Sequence, residues 1–396
     1  LSHNHNGSCL GRRETVVAKT ILAMGDSMTR RSDKKTNTSV SRRTIIKGST
    51  GLGLMLAAGV APAFIREAGA SKMRKVNFML PWLFVGGHTF EFAAQAEGWK
   101  KRGLDVSIQR GYGSGAAIKS VATKTVNFAE ASYGPAVNAA SKGLDVVAIG
   151  AKLQKNPMAI SCRKDSGIRS PGDLMGKSMV QAAASGDTLL FPGFAKGAGI
   201  DVSKINRNMV HPSKLISSVV NKQADCTGTY YVSNAASLAS RTPTVHFMYA
   251  DYGLQTLDLG LISRSDMIKN EPDLVQAMVD GAMEGLKLQL LNPEKALDYM
   301  IAARPELKTK PRSLLLTHSG NTNFLSIGPS VEQNGLGWMG EADQTRTRDV
   351  VIKYMNAKNV PPISKLFTNK FAGNVKLSAA EWAQAKAKTA KFNPKG

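Results

Sequence analysis

From Lys75 onward, short apolar runs alternate with longer stretches whose apolar residues recur at helical spacing. Val76-Asn77-Phe78-Met79-Leu80 reads as a strand and 88–102 as a helix that Gly103 stops; 104–109 is the next strand. The turn Gly111-Tyr112-Gly113-Ser114-Gly115 opens another helix, and strand 126–129, helix 135–142 and strand 145–151 follow. Helices between short apolar strands predict parallel βαβ units. The rhythm then restarts. Strand 158–163 leads to Ser170-Pro171, a helix start with proline just inside it. A strand after Gly176, a helix over 188–198 containing Pro192, a strand beginning at Val210, a helix over 214–221, a strand over 225–231, a short helix over 234–240 and a strand over 245–249 complete the second series. Beyond Leu259-Gly260-Leu261-Ile262 the chain turns helical: 272–291 carries Leu274, Met278, Ala282 and Leu286 on one stripe, followed by 293–303 and a last helix over 377–391. Two α/β lobes in series with a helical tail predict a bilobed α/β fold.

The segment before Lys75 follows a different pattern. Ser41-Arg42-Arg43-Thr44-Ile45-Ile46-Lys47 pairs two arginines with apolar residues, and an uncharged apolar stretch runs over 48–60. That stretch falls short of the roughly 20 residues a bilayer-spanning helix needs. Ala61-Pro62-Ala63 supplies a cleavage site, with Ala68-Gly69-Ala70 as a second candidate. A basic start, a short apolar stretch and a small-residue exit make a secretory signal, and the twin arginines direct it to the Tat translocase and the periplasm. Residues 1–70 are therefore expected to be a leader and signal peptide, cleaved from the working protein.

Charge and cysteine content narrow the picture further. Lys and Arg number 52 against 29 Asp and Glu, a net charge of +23. No clustered basic patch or nucleic-acid module accompanies that excess, so it reads as a scattered basic surface rather than a nucleic-acid interface. Cys9 falls in the leader. Cys162 and Cys226 both lie in strand-like stretches and are expected to be two buried thiols, although a periplasmic pair could also bond. With no CxxC, HExxH or Cys/His cluster, neither a metal nor a cofactor is expected.

The order of landmarks is more specific than any one motif. Leu80-Pro81-Trp82, His88, Ala96-Glu97-Gly98-Trp99 and Gly103-Leu104-Asp105-Val106 come first, then Gly143-Leu144-Asp145-Val146-Val147-Ala148. The run from Asp165-Ser166-Gly167-Ile168 through Asp173-Leu174-Met175-Gly176-Lys177 is followed by Gln223-Ala224-Asp225-Cys226 and Asn270-Glu271-Pro272-Asp273-Leu274-Val275. Over about residues 75–300 this series resembles the thiamine-pyrimidine-synthase-like solute-binding proteins, which share their pattern with sulfonate-, nitrate- and taurine-binding components of ABC importers. Asp145 departs from the proline usual at that position. The resemblance implies a periplasmic-binding-protein type II fold, with 71–156 and 262–396 as lobe 1 and 157–261 as lobe 2. It further implies a hinged ligand cleft, a membrane permease as partner and a monomer without catalysis of its own.

Ligands in open α/β sheets sit beyond the carboxyl ends of strands, where helix N-termini offer free amides. Trp82 after the first strand is a stacking surface, and His88 at the next helix start is a donor. Gly113, Ser114 and Gly115 let backbone approach a ligand. Ser132 and Tyr133 after the third strand, and Asp187 in the second lobe, occupy equivalent places. Tyr230 is preferred over Tyr231 as the ring facing the cleft, because neighbouring strand residues point oppositely, and Asp251 lies near the return crossing. Trp82, Tyr133 and Tyr230 with one or two carboxylates suit a flat, partly polar heterocycle. The leading ligand is a thiamine-precursor pyrimidine, and the alternative is a sulfonate, nitrate or aromatic carboxylate.

Two enzymatic readings compete. The fungal relatives that build the pyrimidine need a lysine and a histidine where this chain aligns Ala131 and Pro135, so that chemistry is rejected. Gly111-Tyr112-Gly113-Ser114-Gly115-Ala116 formally fits a dinucleotide turn with Glu130 about 20 residues on, which keeps an NAD(P)-dependent oxidoreductase as the alternative of another class.

Overall fold

The computed structural model describes residues 73–393. The expected leader, the twin-arginine signal and both candidate cleavage sites lie outside the described residues. Two five-stranded sheets organise the rest. The first contains β1 (Arg74–Met79), β2 (Leu104–Gln109), β3 (Phe128–Ala131), β4 (Val147–Leu153) and β10 (Asp258–Ser263), in the order β2-β1-β3-β10-β4. The second contains β5 (Met158–Arg163), β6 (Ser178–Gln181), β7 (Asn206–Met209), β8 (Cys226–Tyr230) and β9 (Thr244–Met248), in the order β7-β6-β8-β5-β9. β1 pairs in parallel with β2 and β3, and β6 with β7 and β8, as the βαβ rhythm predicts. β10 and β5, the strands that enter each sheet after a crossing, run antiparallel to both neighbours.

Three expectations need correction. β10 belongs to the first sheet, so the return crossing ends before Asp258 and the lobe boundary is not at 261/262. The strand expected to begin at Val210 instead ends at Met209. β7 is an edge strand of Asn-Arg-Asn-Met with mostly exposed side chains, and a polar edge carries little apolar signal. Finally, Cys162 and Cys226 are directly opposed in the β5–β8 ladder, Cα to Cα 4.1 Å, and form a disulfide. Both were correctly placed on strands; their pairing depends on a register between segments 64 residues apart.

The helices that frame the two sheets include α1 (Thr89–Ala93), α2 (Ser114–Ala122), α3 (Tyr133–Ala140), α4 (Gly186–Ala198), α5 (Leu215–Val220), α6 (Pro272–Leu291), α7 (Pro293–Ala303), α8 (Arg312–Ser326), α9 (Glu341–Met355) and α10 (Ala379–Thr389). Proline at the first position starts both α6 and α7 without losing a needed donor. The apolar stripe of α6 (Leu274, Met278, Ala282, Leu286) is buried in the main core of lobe 1 with Phe78, Phe90 and Trp99. Trp99 donates its indole N–H to the Met278 carbonyl at 2.9 Å, and Gly281 makes room for that ring. The C-terminal helices reach both lobes: α9 packs on α3 and on α4. From α8, the Asn321 amide donates to the Tyr231 carbonyl at 2.8 Å, and His318 Nε2 lies 3.0 Å from the Ser237 hydroxyl, a hydrogen-bonded pair. Among the described residues no helix is long and apolar enough to cross a membrane.

Candidate functional site

The carboxyl ends of β1, β3 and β4 in lobe 1 face the start of α4 and the end of β8 in lobe 2. Where they meet, a small cavity is lined by Trp82, His88, Ser114, Lys152 and Leu259 (on β10) from the first lobe, and by Ser185, Gly186, Tyr230 and Ser233 from the second. Its free volume is about 30 Å³, against roughly 300–1,000 Å³ for sites that enclose drug-sized molecules. The lobes touch directly around it. Gly115 N–H donates to the Ala184 carbonyl at 3.0 Å, and the Ser132 and Tyr230 hydroxyls are 2.9 Å apart. Gly113 is left-handed at φ +127, and a Cβ there would lie 2.2 Å from the Ala184 oxygen, so both its conformation and its neighbour demand glycine. This is a closed cleft, which admits a ring only if the lobes part or a lining side chain turns.

Trp82 and Tyr230 meet across the boundary. Trp82 leaves β1 and packs against the lobe 2 cluster of Val180, Ala182, Leu215 and Leu238, while its buried indole N–H has no acceptor. Tyr230 ends β8; burial raises its phenol well above the ordinary value, so the ring enters the cleft as a neutral hydroxyl.

Under the lobe 1 side lies a buried quartet of charged groups. Lys152, 1 % exposed, places Nζ 2.9 Å from Glu130 Oε1, 3.9 Å from Glu91 Oε1 and 4.6 Å from the centre of the Phe90 ring. His88 Nδ1 is 3.3 Å from both Glu91 Oε1 and Glu130 Oε2. Burial pushes Glu91 up to about 8, only partly countered by Lys152 and reinforced by Glu130. Glu130 is held below the usual carboxylate range: burial would raise it, but Lys152 and hydrogen bonds from Glu91 and His88 outweigh burial. For His88, burial alone would lower the imidazole, yet the facing carboxylates hold it above its ordinary value. Two carboxylates, one ammonium and an imidazole are neutral when the imidazole and Glu91 hold one proton between them. Glu91 Oε2 and Glu130 Oε2 are buried with no donor in hydrogen-bond geometry. His88, Glu91 and Glu130 also present three ligand atoms within 4.8 Å of one another, a spacing that could hold a metal ion. Lys152 already supplies the cation there.

The remaining expected residues take other places. Tyr133 is no cleft wall: it is fully buried in the second core of lobe 1, edge-on to Phe367, with its hydroxyl donated to the Gly150 carbonyl at 2.7 Å. As the first residue of α3 its side chain turns back along the helix onto the sheet. Asp187 is buried beneath the cleft surface, accepting from the Ser185 hydroxyl and, at 3.4 Å, from the Gln181 amide, with burial pushing it up to about 6. Asp251 faces away from the cavity into a larger groove of about 990 Å³ that Tyr231, Arg241, His246 and Phe392 also line. Ser132 is buried but reaches Tyr230, and Gly115 serves the contact between lobes. Gly113, Ser114, Trp82, His88 and Tyr230 do converge on one cavity.

Lys152, Glu91, and Glu130 in its present role, are the additions. A signal for two of them was available: Phe128-Ala129-Glu130-Ala131 and 147–153 are strands buried along their whole length, and a charge inside such a strand must be paired. Glu91, three residues after His88, completes the set from one helical turn.

The architecture is that of known binding proteins. The alkanesulfonate-binding protein of Xanthomonas axonopodis pv. citri, solved bound to MOPS, superposes over 73 % of this chain and 95 % of its own with a TM-score of 0.57 at 12 % identity, a likeness of fold. In sequence, the formylaminopyrimidine-binding protein of Halalkalibacterium halodurans is 24 % identical over 67 % of this chain and 83 % of its own length. The 4-amino-5-hydroxymethyl-2-methylpyrimidine phosphate synthase of Legionella pneumophila is 23 % identical over 61 % of this chain and 78 % of its own. The landmarks from the His88 helix through α6 carry the same assignment: the model of the NMT1/THI5-like family matches residues 86–296, and the chain belongs to that family.

Proposed function

We propose that this chain is the solute-binding component of an ABC importer, exported through the Tat route to the periplasm, and that it closes two lobes around one small ring-bearing solute for delivery to a membrane permease. The observation that carries this reading is the cleft itself, where Trp82 of one lobe and Tyr230 of the other line one closed cavity, a geometry that hinge motion would open. A thiamine-precursor pyrimidine remains the first candidate solute, supported by the likeness to the formylaminopyrimidine-binding protein and by Trp82, whose face can stack a ring and whose idle N–H can meet a ring nitrogen.

The protein works here as a binder and not as a catalyst. Ala131 and Pro135, aligned with the lysine and histidine of the pyrimidine-forming fungal enzymes, are both buried and carry no reactive group. A dinucleotide fares no better. The Ala184 backbone of lobe 2 presses on Gly113, where a pyrophosphate would lie, and Glu130, the acid of that reading, is bound to Lys152. A thermal-shift screen of the purified full chain tests the proposal, because a solute that binds only the folded state raises its melting temperature. Aminopyrimidines, aryl carboxylates and sulfonates, nitrate and NAD(P) form the panel. A shift with a ring-bearing compound that is lost in Trp82→Ala is expected; a response to NAD(P) alone would overturn the reading.

A further inference from the structure

Resting on that solute-binding reading, we propose that the solute carries an anionic group, and that Lys152 with His88 beside it is the contact that holds this group.

The lining of the cleft carries the argument. Its polar members are the Lys152 ammonium, the His88 imidazole, the Trp82 indole N–H and the hydroxyls of Ser114, Ser185, Ser233 and Tyr230; among the described residues lining it there is no carboxylate. Every one of these groups can donate a hydrogen bond, and two of them carry or can carry positive charge. The carboxylates lie behind that surface. Glu91 and Glu130 are fully buried, contact Lys152 and His88, and are not among the residues that line the cavity. His88 commits Nδ1 to them, which leaves Nε2 as the ring nitrogen available to a solute. A cationic amine or amidinium entering this cleft would meet an ammonium and no carboxylate, with only neutral hydroxyl oxygens to accept from it; a carboxylate, sulfonate or phosphate would meet charged and neutral donors.

Charge compensation explains how a lysine can wait in so dry a place. A buried ammonium without a partner costs several kcal/mol, so it needs counter-charge before the solute arrives. Glu130 supplies it at 2.9 Å, Glu91 stands second at 3.9 Å, and the Phe90 ring centre lies 4.6 Å away. The other ionisable groups facing the quartet are Asp258 on β10, which interacts with Glu130, and His318 on α8, which burial holds down at about 3 and therefore neutral. Neither supplies a competing cation.

Matched pairs test the idea by isothermal titration of the full chain at pH 7: pyrimidine-5-carboxylate against its carboxamide, benzenesulfonate against benzenesulfonamide, and phenyl phosphate against phenol. At least one acid is expected to bind about tenfold or more tighter than its neutral partner, and the tight member identifies which anion the cleft takes. The preference should vanish in K152M/E130Q, where two neutral groups replace the charged pair and the fold is spared an orphan carboxylate. H88Q should weaken the same acid while leaving the neutral partner unchanged. Equal binding of acid and neutral partner, tighter binding of an amine-bearing ring, or an acid preference that survives in K152M/E130Q would each overturn the proposal and leave the solute-binding reading intact. Failure of every ring compound to bind would overturn both.

Discussion

The two lobes share a sheet plan and are held together by opposite means. Each sheet has five strands with one antiparallel strand inserted beside the crossing. Lobe 2 fastens its central pair with the Cys162–Cys226 disulfide beside an ordinary apolar core of Met158, Phe191, Phe194 and Tyr249. Lobe 1 places four ionisable groups against the cleft. The contrast separates stability from chemistry: lobe 2 is a covalently secured jaw offering hydroxyls, whereas lobe 1 accepts a costly buried charge cluster and so owns the reactive surface.

The contrast breaks most sharply at Lys152. Lys152→Met leaves Glu130 buried without its cation and should cost about 3–5 kcal/mol in denaturant unfolding, while K152M/E130Q should recover most of that loss. Next comes the disulfide, which closes a 64-residue separation. Removing it as C162A/C226A should cost about 4 kcal/mol in the chain-entropy account, and somewhat less if the unfolded chain retains structure. Only lobe 2 should loosen, which hydrogen exchange along β5 and β8 would detect. Trp82→Ala should weaken binding of a ring solute by roughly 10–100-fold, judged from the usual cost of truncating a central aromatic contact; an unchanged affinity would remove Trp82 from the site.

A smaller effect is set by pH. Glu91 has its carboxyl raised by burial from 4.5 to about 8, so the folded state holds a proton that the unfolded chain releases. Stability then falls as pH rises between about 4.5 and about 8, because the folded state binds more protons than the unfolded one throughout that window. Glu91→Gln should flatten the slope of melting temperature against pH over that range. Smallest is Tyr133→Phe, which leaves the Gly150 carbonyl without its partner and should cost about 1–2 kcal/mol with no change in solute affinity. A loss of affinity there would return Tyr133 to the cleft.

Much of this architecture was readable from spacing. The helices at 272–291 and 293–303 are found at those bounds, because proline starts, apolar stripes and polar stops coincide there. The cleft's backbone features were readable too: Gly113 and Ser114 sit where strand meets helix. What escaped depends on contacts between distant segments. β7 lacks an apolar pattern because it lies at an edge, and the disulfide depends on a strand register. Tyr133 and Trp82 look alike as aromatics following strands, but one is the first helical residue and folds inward while the other sits in the bend after β1 and reaches across. The quartet draws its members from α1, the turn before it, β3 and β4, so no local pattern announces it.

The helix α8 has a consequence for how the molecule opens. Its hidden face consists largely of His318, Ser319, Asn321, Thr322, Asn323 and Ser326, with Asn321 and His318 bonded to lobe 2. A seam made of leucines would expose hydrocarbon to water whenever the jaws parted, and neighbouring molecules could stick to it. A seam made of amides and hydroxyls trades each broken bond for one to water. Opening would then cost little along this polar part of the seam, and what it gives up is the apolar contact of Leu325 and Phe324 with Val232 and Tyr231.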